Sequence, residues 1–360
     1  LKGTIPDAAP KGASEEPELG GKKAMRTDCI VGFRHSWKPV EDNFVDIGVS
    51  ESGLWQAGRE GVLRILTPKD GKSEFIVYRD KTLVCVKSVL GHPAIYPLHD
   101  VDFNPPAEAV LMDLDGTTIN SERFWISILE KTVARLTERS SFSFHPEERL
   151  FVSGHSVSEH LQYCLGKYCP EHGIGEARAT YLEIARKELH EIEQGRGNTE
   201  AFRPASGLKE FLGRLKEEGI KVGLVSSGLH EKAWPEVLAA FRVMKAGDPL
   251  DYYDAIVTAG QVIQKGQAGT LGELAAKPHP WLYAEALRVG LGIPPERYDR
   301  VVGIEDSSAG VLSIRLAGFP AIGLDGGNIG ASGADALVQG KFTNLEEALL
   351  FILGTNRKPK

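Results

Sequence analysis

Two aspartates, Asp113 and Asp115, close an apolar run that begins at Ala109. Val110, Leu111 and Met112 read as the inside of a strand. Strand side chains alternate between faces, so both carboxylates point the same way from the strand's carboxyl end. A carboxylate without a partner in a low-dielectric interior costs several kcal/mol, so the pair demands one. Three later stretches offer polar groups of the right kind. "KVGLVSSG" ends in Ser226 and Ser227, "AAKPHPWLY" carries Lys277 ahead of a Pro-x-Pro turn, and "VVGIEDSSAG" ends in Glu305 and Asp306, followed by Ser307 and Ser308. Each alone reads as a helix N-cap or a solvated charge. Together, the carboxylates of Asp113, Asp115, Glu305 and Asp306 at one sheet edge would repel one another unless a divalent cation sat among them. Hard oxygen donors suit Mg²⁺, which keeps waters and shares its shell with phosphate oxygens.

Such a convergence needs a scaffold that brings strand ends together. After Ala107 the pattern alternates strand and helix, with strands expected at Ala109–Asp113, Lys221–Ser226, Ala255–Val257, Val301–Glu305 and Ala321–Leu324. Amphipathic stretches lie between them. In "SGLKEFLGRLKEEGI", Leu208, Phe211, Leu212 and Leu215 fall at helical spacing and Gly219 marks the stop. Alternation of this kind predicts an α/β fold with a Rossmann-like parallel sheet, whose ligands sit at the carboxyl ends of the strands. Residues 124–202 break the alternation and read as helices only, an inserted cap. The core is then 107–123 with 203–353.

In order and setting, "DLDGT" at Asp113, "LVSSG" at Ser226, "KPHP" at Lys277 and "GIEDSSAG" at Asp306 resemble the four motifs of the haloacid dehalogenase superfamily. More closely, they resemble its branch of β-phosphoglucomutase-like phosphatases with a helical cap. The resemblance covers about Ala107 to Leu353. It implies that Asp113 is a nucleophile forming an aspartyl phosphate, and that Asp115 is the general acid and then the base for water. Ser226 and Lys277 would hold phosphoryl oxygens, with Ser227 beside them. Mg²⁺ would be bound by the Asp113 side chain, the Asp115 carbonyl and Asp306, with Glu305 in or near the shell. The physics agrees, because a carboxylate attacking a phosphate dianion needs a cation beside it. Dehalogenase members need neither the second aspartate nor the metal, so Asp115 and Asp306 speak for phosphate chemistry.

Two departures from the resemblance bear on the reaction. Phosphoglucomutases of this branch carry a basic cap residue just after a glycine, where this chain has "GHSVSEHL" from Gly154, offering His155 to the substrate instead. They also have a histidine shortly after the first motif, where this chain has "INSERFW" and Trp125. Hydrolysis of a small phosphorylated metabolite, a sugar or polyol phosphate, is therefore expected ahead of a phosphosugar mutase. The segment Gln261–Ala276 is longer than usual and reads as a surface excursion.

Upstream, residues 29–104 form a β-rich module with runs at "FVDIGV", "VLRIL", "EFIVY" and "TLVCVKSVL", separated by turn signals at Asp70-Gly71 and Arg79-Asp80. Pro105-Pro106 reads as a boundary, which predicts that residues 107–360 fold alone. A chain whose function resides in this module, a ligand-binding or regulatory protein, is the alternative from another class. Residues 1–28 hold no aromatic side chain and read as a disordered tail. A net charge of −7, with no run of Lys and Arg, argues against nucleic acid and anionic membranes as partners. No apolar stretch is long enough for a membrane span and the first residues lack a signal-peptide core, so the chain reads as cytoplasmic. Cys164 and Cys169, near His160 and His172, match no common zinc spacing and read as packed thiols.

Overall fold

The computed structural model describes residues 30–34, 44–69, 71–87, 93–145, 148, 157–194, 196–198, 200–259 and 276–355. The tail at Leu1–Asp28, His155, and all of the Gln261–Ala276 segment except Ala276 lie outside these residues.

The upstream runs form a five-stranded antiparallel sheet in the order β1-β2-β3-β4-β5. Its strands are β1 (Phe44–Asp46), β2 (Arg64–Pro68), β3 (Ser73–Val77), β4 (Thr82–Val86) and β5 (Ala94–Leu98). The meander is as expected, but β5 was hidden by its proline. Pro97 is tolerated because β5 is an edge strand, with one side free of ladder partners.

The second sheet has six parallel strands in the order β10-β9-β6-β11-β12-β13. They are β6 (Ala109–Asp113), β9 (Lys221–Leu229), β10 (Ala255–Ala259), β11 (Val301–Glu305), β12 (Ala321–Leu324) and β13 (Lys341–Phe342). Alternation assigns their side chains to two cores. Val110, Met112, Val302, Ile304 and Ile322 enter one apolar cluster, whereas Ala109, Leu111, Val301 and Ala321 enter the other. In the first cluster lie α4 (Leu208–Glu217), α5 (His230–Met244), α9 (Leu345–Ile352) and the cap helices α1 (Glu122–Leu136), α2 (Val157–Tyr168) and α3 (Ile174–Glu193). Leu208, Phe211, Leu212 and Leu215 are all buried, as their spacing predicted. The chain enters and leaves the cap through a short antiparallel pair, β7 (Ile119–Asn120) with β8 (Arg203–Pro204).

The second cluster holds α6 (Trp281–Glu285), α7 (Ser308–Leu316), α8 (Ile329–Ser332) and, with them, the inner face of the antiparallel sheet: Phe44, Leu66, Phe75, Val84 and Leu98. Phe33, Phe44 and Phe75 meet edge to face with centroids 5.2–5.8 Å apart. Hydrogen bonds cross the same junction: Arg315 Nη2 donates to the carbonyls of Gly32 and His99, each at 2.8 Å. Pro105-Pro106 thus lies between two sheets that share one core, and the packing does not support the expected independence of residues 107–360. Cys85, Cys164 and Cys169 are buried thiols. No helix among the described residues is long and apolar enough to cross a membrane.

Candidate active site

The strand ends of the parallel sheet bring the four motifs together. Asp113 ends β6, with a carbonyl that accepts from Thr118 Oγ1 at 2.5 Å. Lys277, only 4% exposed, bonds Asp113 Oδ1 and reaches Glu305 Oε1 at 2.6 Å. Glu305 ends β11 and is completely buried. Its Oε1 also accepts from Tyr283 Oη at 2.7 Å and its Oε2 from Ser307 Oγ at 3.0 Å. Asp306 follows, closely packed. A Cβ on Gly116 or Gly327 would land on Asp306, and one on Gly310 would land on the Glu305 carboxylate. Gly116, at φ +88°, also occupies backbone space that a side chain disfavours.

Asp113, Glu305 and Asp306 each place a carboxylate oxygen within 4.8 Å of the other two. Burial, then Glu305, pushes the Asp113 carboxyl up to about 8 against the pull of Lys277. Asp306 lies well above the usual carboxylate range, through burial and then Asp113 and Glu305. Lys277 would be depressed by burial, but Asp113 and Glu305 carry it above its ordinary value. One lysine does not neutralise three buried carboxylates. An all-oxygen donor set with excess negative charge fits a hard divalent cation.

A second cluster surrounds Asp115. Its Oδ1 accepts from Ser121 Oγ, and Lys232 Nζ on α5 lies 3.5 Å from Oδ2 and 4.2 Å from the centroid of Trp125. Burial would raise the Asp115 carboxyl, but Lys232, Ser121 and Glu236 together hold it below its ordinary value. Glu236, one turn after Lys232, is completely buried, accepts from Trp125 Nε1 at 2.8 Å and hydrogen-bonds Asp115. Burial and then Asp115 raise Glu236 far above the carboxylate range, so it is the protonated member of the pair. Ser121, Trp125, Lys232 and Glu236 were not among the residues selected from the sequence. The signal for Glu236 was its place in the apolar stripe of Ala233, Val237 and Ala240 on α5.

Between the clusters and the cap lies a cavity. Asp113, Asp115, Ser227, Lys232, Lys277 and Asp306 form its polar side, and Trp125, Ile126, Leu129 and Val157 its apolar side, with His160 from α2. Ser226 is 1% exposed, and its Oγ accepts from Gly228 N at 3.0 Å. Ser227 lines the cavity, and its Oγ accepts from Lys277 N at 3.2 Å.

Residues 110–324, more than half of the chain, match the family of haloacid dehalogenase-like hydrolases. This chain belongs to that family. Among solved structures, one from Haemophilus somnus described as a predicted phosphoglycolate phosphatase is similar at a TM-score of 0.52 and 16% identity, covering 69% of this chain and 98% of that one. The β-phosphoglucomutase of Clostridium difficile is similar at a TM-score of 0.51 and 19% identity, over 69% of this chain and 98% of that one. At such identities the likeness is one of fold. No curated protein matches the chain. The antiparallel sheet, which ends at Leu98, lies outside the residues that match the family.

Proposed function

We propose that this haloacid dehalogenase-like hydrolase is a Mg²⁺-dependent phosphatase that cleaves a small phosphorylated metabolite, a sugar or polyol phosphate, through an aspartyl phosphate on Asp113. The observation that carries this reading is the buried Lys277, which bonds Asp113 and Glu305 beside Asp306 on the floor of the cavity beneath the cap. The side chains of Asp113 and Asp306 and the carbonyl of Asp115 would hold the ion, with Glu305 beside it. When bound, Mg²⁺ supplies the positive charge that lets one anion approach another.

In the first half-reaction Asp113 attacks phosphorus while the bond to the leaving oxygen breaks. Lys277 and Ser227 meet the phosphoryl oxygens, and the buried Ser226 shapes the loop through Gly228. Asp115, ionised at rest, takes the proton that Glu236 holds and passes it to the leaving oxygen, which leaves both carboxylates ionised. In the second half-reaction Asp115 removes a proton from water, which attacks phosphorus and frees Asp113. The apolar wall of Trp125, Ile126, Leu129 and Val157 restricts water until the cap opens.

The assay is phosphate release from a panel of phosphorylated metabolites with Mg²⁺. Asp113→Asn lowers turnover by at least about 10⁴-fold, the order expected when a nucleophile is removed. The variant stays folded, because the change removes one anion from a crowded acidic cluster. Wild-type release from folded Asp113→Asn, or full activity in EDTA, would overturn the mechanism. With β-glucose 1-phosphate and a bisphosphate activator, phosphate release exceeds glucose 6-phosphate formation; the reverse would favour the mutase.

A further inference from the structure

We propose that the antiparallel sheet, although outside the residues that match the family, is part of the framework of the active site, and that Tyr96 is a positioning residue for Lys277. The inference rests on the reading of Lys277 as a ligand of the phosphoryl group.

Lys277 belongs to a segment, Ala276 to Trp281, that has no partner in the parallel sheet, so its position is set by side contacts. Three elements hold it. The end of β9 contributes Ser227 Oγ, which accepts from Lys277 N at 3.2 Å. Helix α7 contributes Ser313 Oγ, which donates to the His279 carbonyl at 2.6 Å. The third hold comes from β5, where Tyr96 Oη lies 2.9 Å from His279 Nδ1. The Tyr96 ring meets His279 and Trp281 edge-on, with centroids 5.9 and 6.1 Å away. Burial keeps the His279 imidazole below its ordinary pKa, so it is neutral and Nδ1 can accept the tyrosine proton.

Packing alone does not replace that hydrogen bond. Pro278 lines a small apolar gap that Phe44 and Phe75 of the sheet also line, so the packing behind the segment is not complete. Lys277 Nζ must satisfy Asp113 and Glu305 at once, and a small shift of its backbone breaks that double contact. Displacements of about 1 Å at a catalytic group can cost on the order of 10²-fold in rate.

The test uses the full-length protein with Mg²⁺, p-nitrophenyl phosphate as substrate and inorganic phosphate as the ligand followed by calorimetry. Tyr96→Phe removes one oxygen; it is expected to lower kcat about tenfold and weaken phosphate binding by a similar factor, with Tm within about 2 °C of wild type. His279→Leu gives the same loss, the double variant loses no more than either single one, and His279→Asn, which keeps an acceptor near the Nδ1 position, recovers part of it. A purely structural tyrosine would move Tm and leave kcat and phosphate affinity per folded molecule unchanged, and that result overturns the proposal. So do additive losses in the double variant. A wild type that neither binds phosphate nor hydrolyses the ester brings down the underlying assignment of Lys277, an outcome distinct from a competent wild type matched by Tyr96→Phe.

Discussion

The antiparallel sheet and the helical cap are attached to the parallel-sheet core in different ways. The cap is inserted between β7 and β8, within the residues that match the family, and its route in and out is one short strand pair. The antiparallel sheet precedes the matching residues, yet its phenylalanines and the core's Leu282, Tyr283, Leu312 and Ile314 belong to one buried cluster. Its hold is reinforced by Arg315, 3% exposed, whose guanidinium reaches two carbonyls upstream of β6. The cap helices also share a buried cluster with the core, so the contrast lies in the route: one short strand pair on the cap side, and a common core with buried guanidinium contacts on the other. Lying outside the residues that match the family does not set the preceding sheet apart from their core.

The sharpest way to break this contrast is deletion. Removing residues 1–103 exposes the apolar side of α7 and deprives a buried cation of its acceptors, a loss of about 1.5–3 kcal/mol for each such hydrogen bond before any apolar exposure. The truncated chain is expected to be insoluble or to lack a cooperative thermal transition. A soluble 104–360 fragment with a sharp melt and full phosphate release would show two independent units.

On the cap side the expected losses are catalytic. Lys232→Met removes the cation between Asp115 and Trp125, and should cut phosphate release about 10- to 100-fold, below the 10²–10⁴ that a general acid supplies. Its circular dichroism should match wild type. An unfolded Lys232→Met would mean that this face, too, depends on its site for stability.

The smallest effect lies within the cap. Hydrogen bonds from Lys167 and then Tyr168, together with the His145 amide and Tyr163, hold the Glu148 carboxyl down at about 2. A depressed carboxylate contributes stability that is complete above its unfolded pKa of about 4.3 and is lost as the pH falls toward 2. Near-ultraviolet tyrosine signals in the full chain should therefore shift between about pH 4.3 and 2, and Glu148→Gln should abolish that step. An identical acid transition in both proteins would remove Glu148 from the account.

Strands and acids were legible in the sequence for the same reason. A parallel strand buried on both faces reads as an unbroken apolar run, as in Ala109–Met112 and Val301–Ile304, so a terminal carboxylate stands out. Helix-borne site residues were not legible, because Lys232 and Glu236 sit at a spacing that solvated charges also use. Tyr96 was hidden twice, by Pro97 within its strand and by a partner, His279, that is distant in the chain. The shared core was invisible because an apolar strand face does not reveal what it will pack against.

The acidic residues dominate any reading of the chemistry, but Gly116, Gly310 and Gly327 are as closely bound to it, since a single added methyl at each would collide with Glu305 or Asp306. These three positions carry no charge, donate no side-chain hydrogen bond and perform no step. They are letters fixed by the room their neighbours leave. A saturation library of this chain should thus place three chemically silent sites among its least tolerant. The signature around the two acidic strand ends is spelled by absent side chains as much as by present ones.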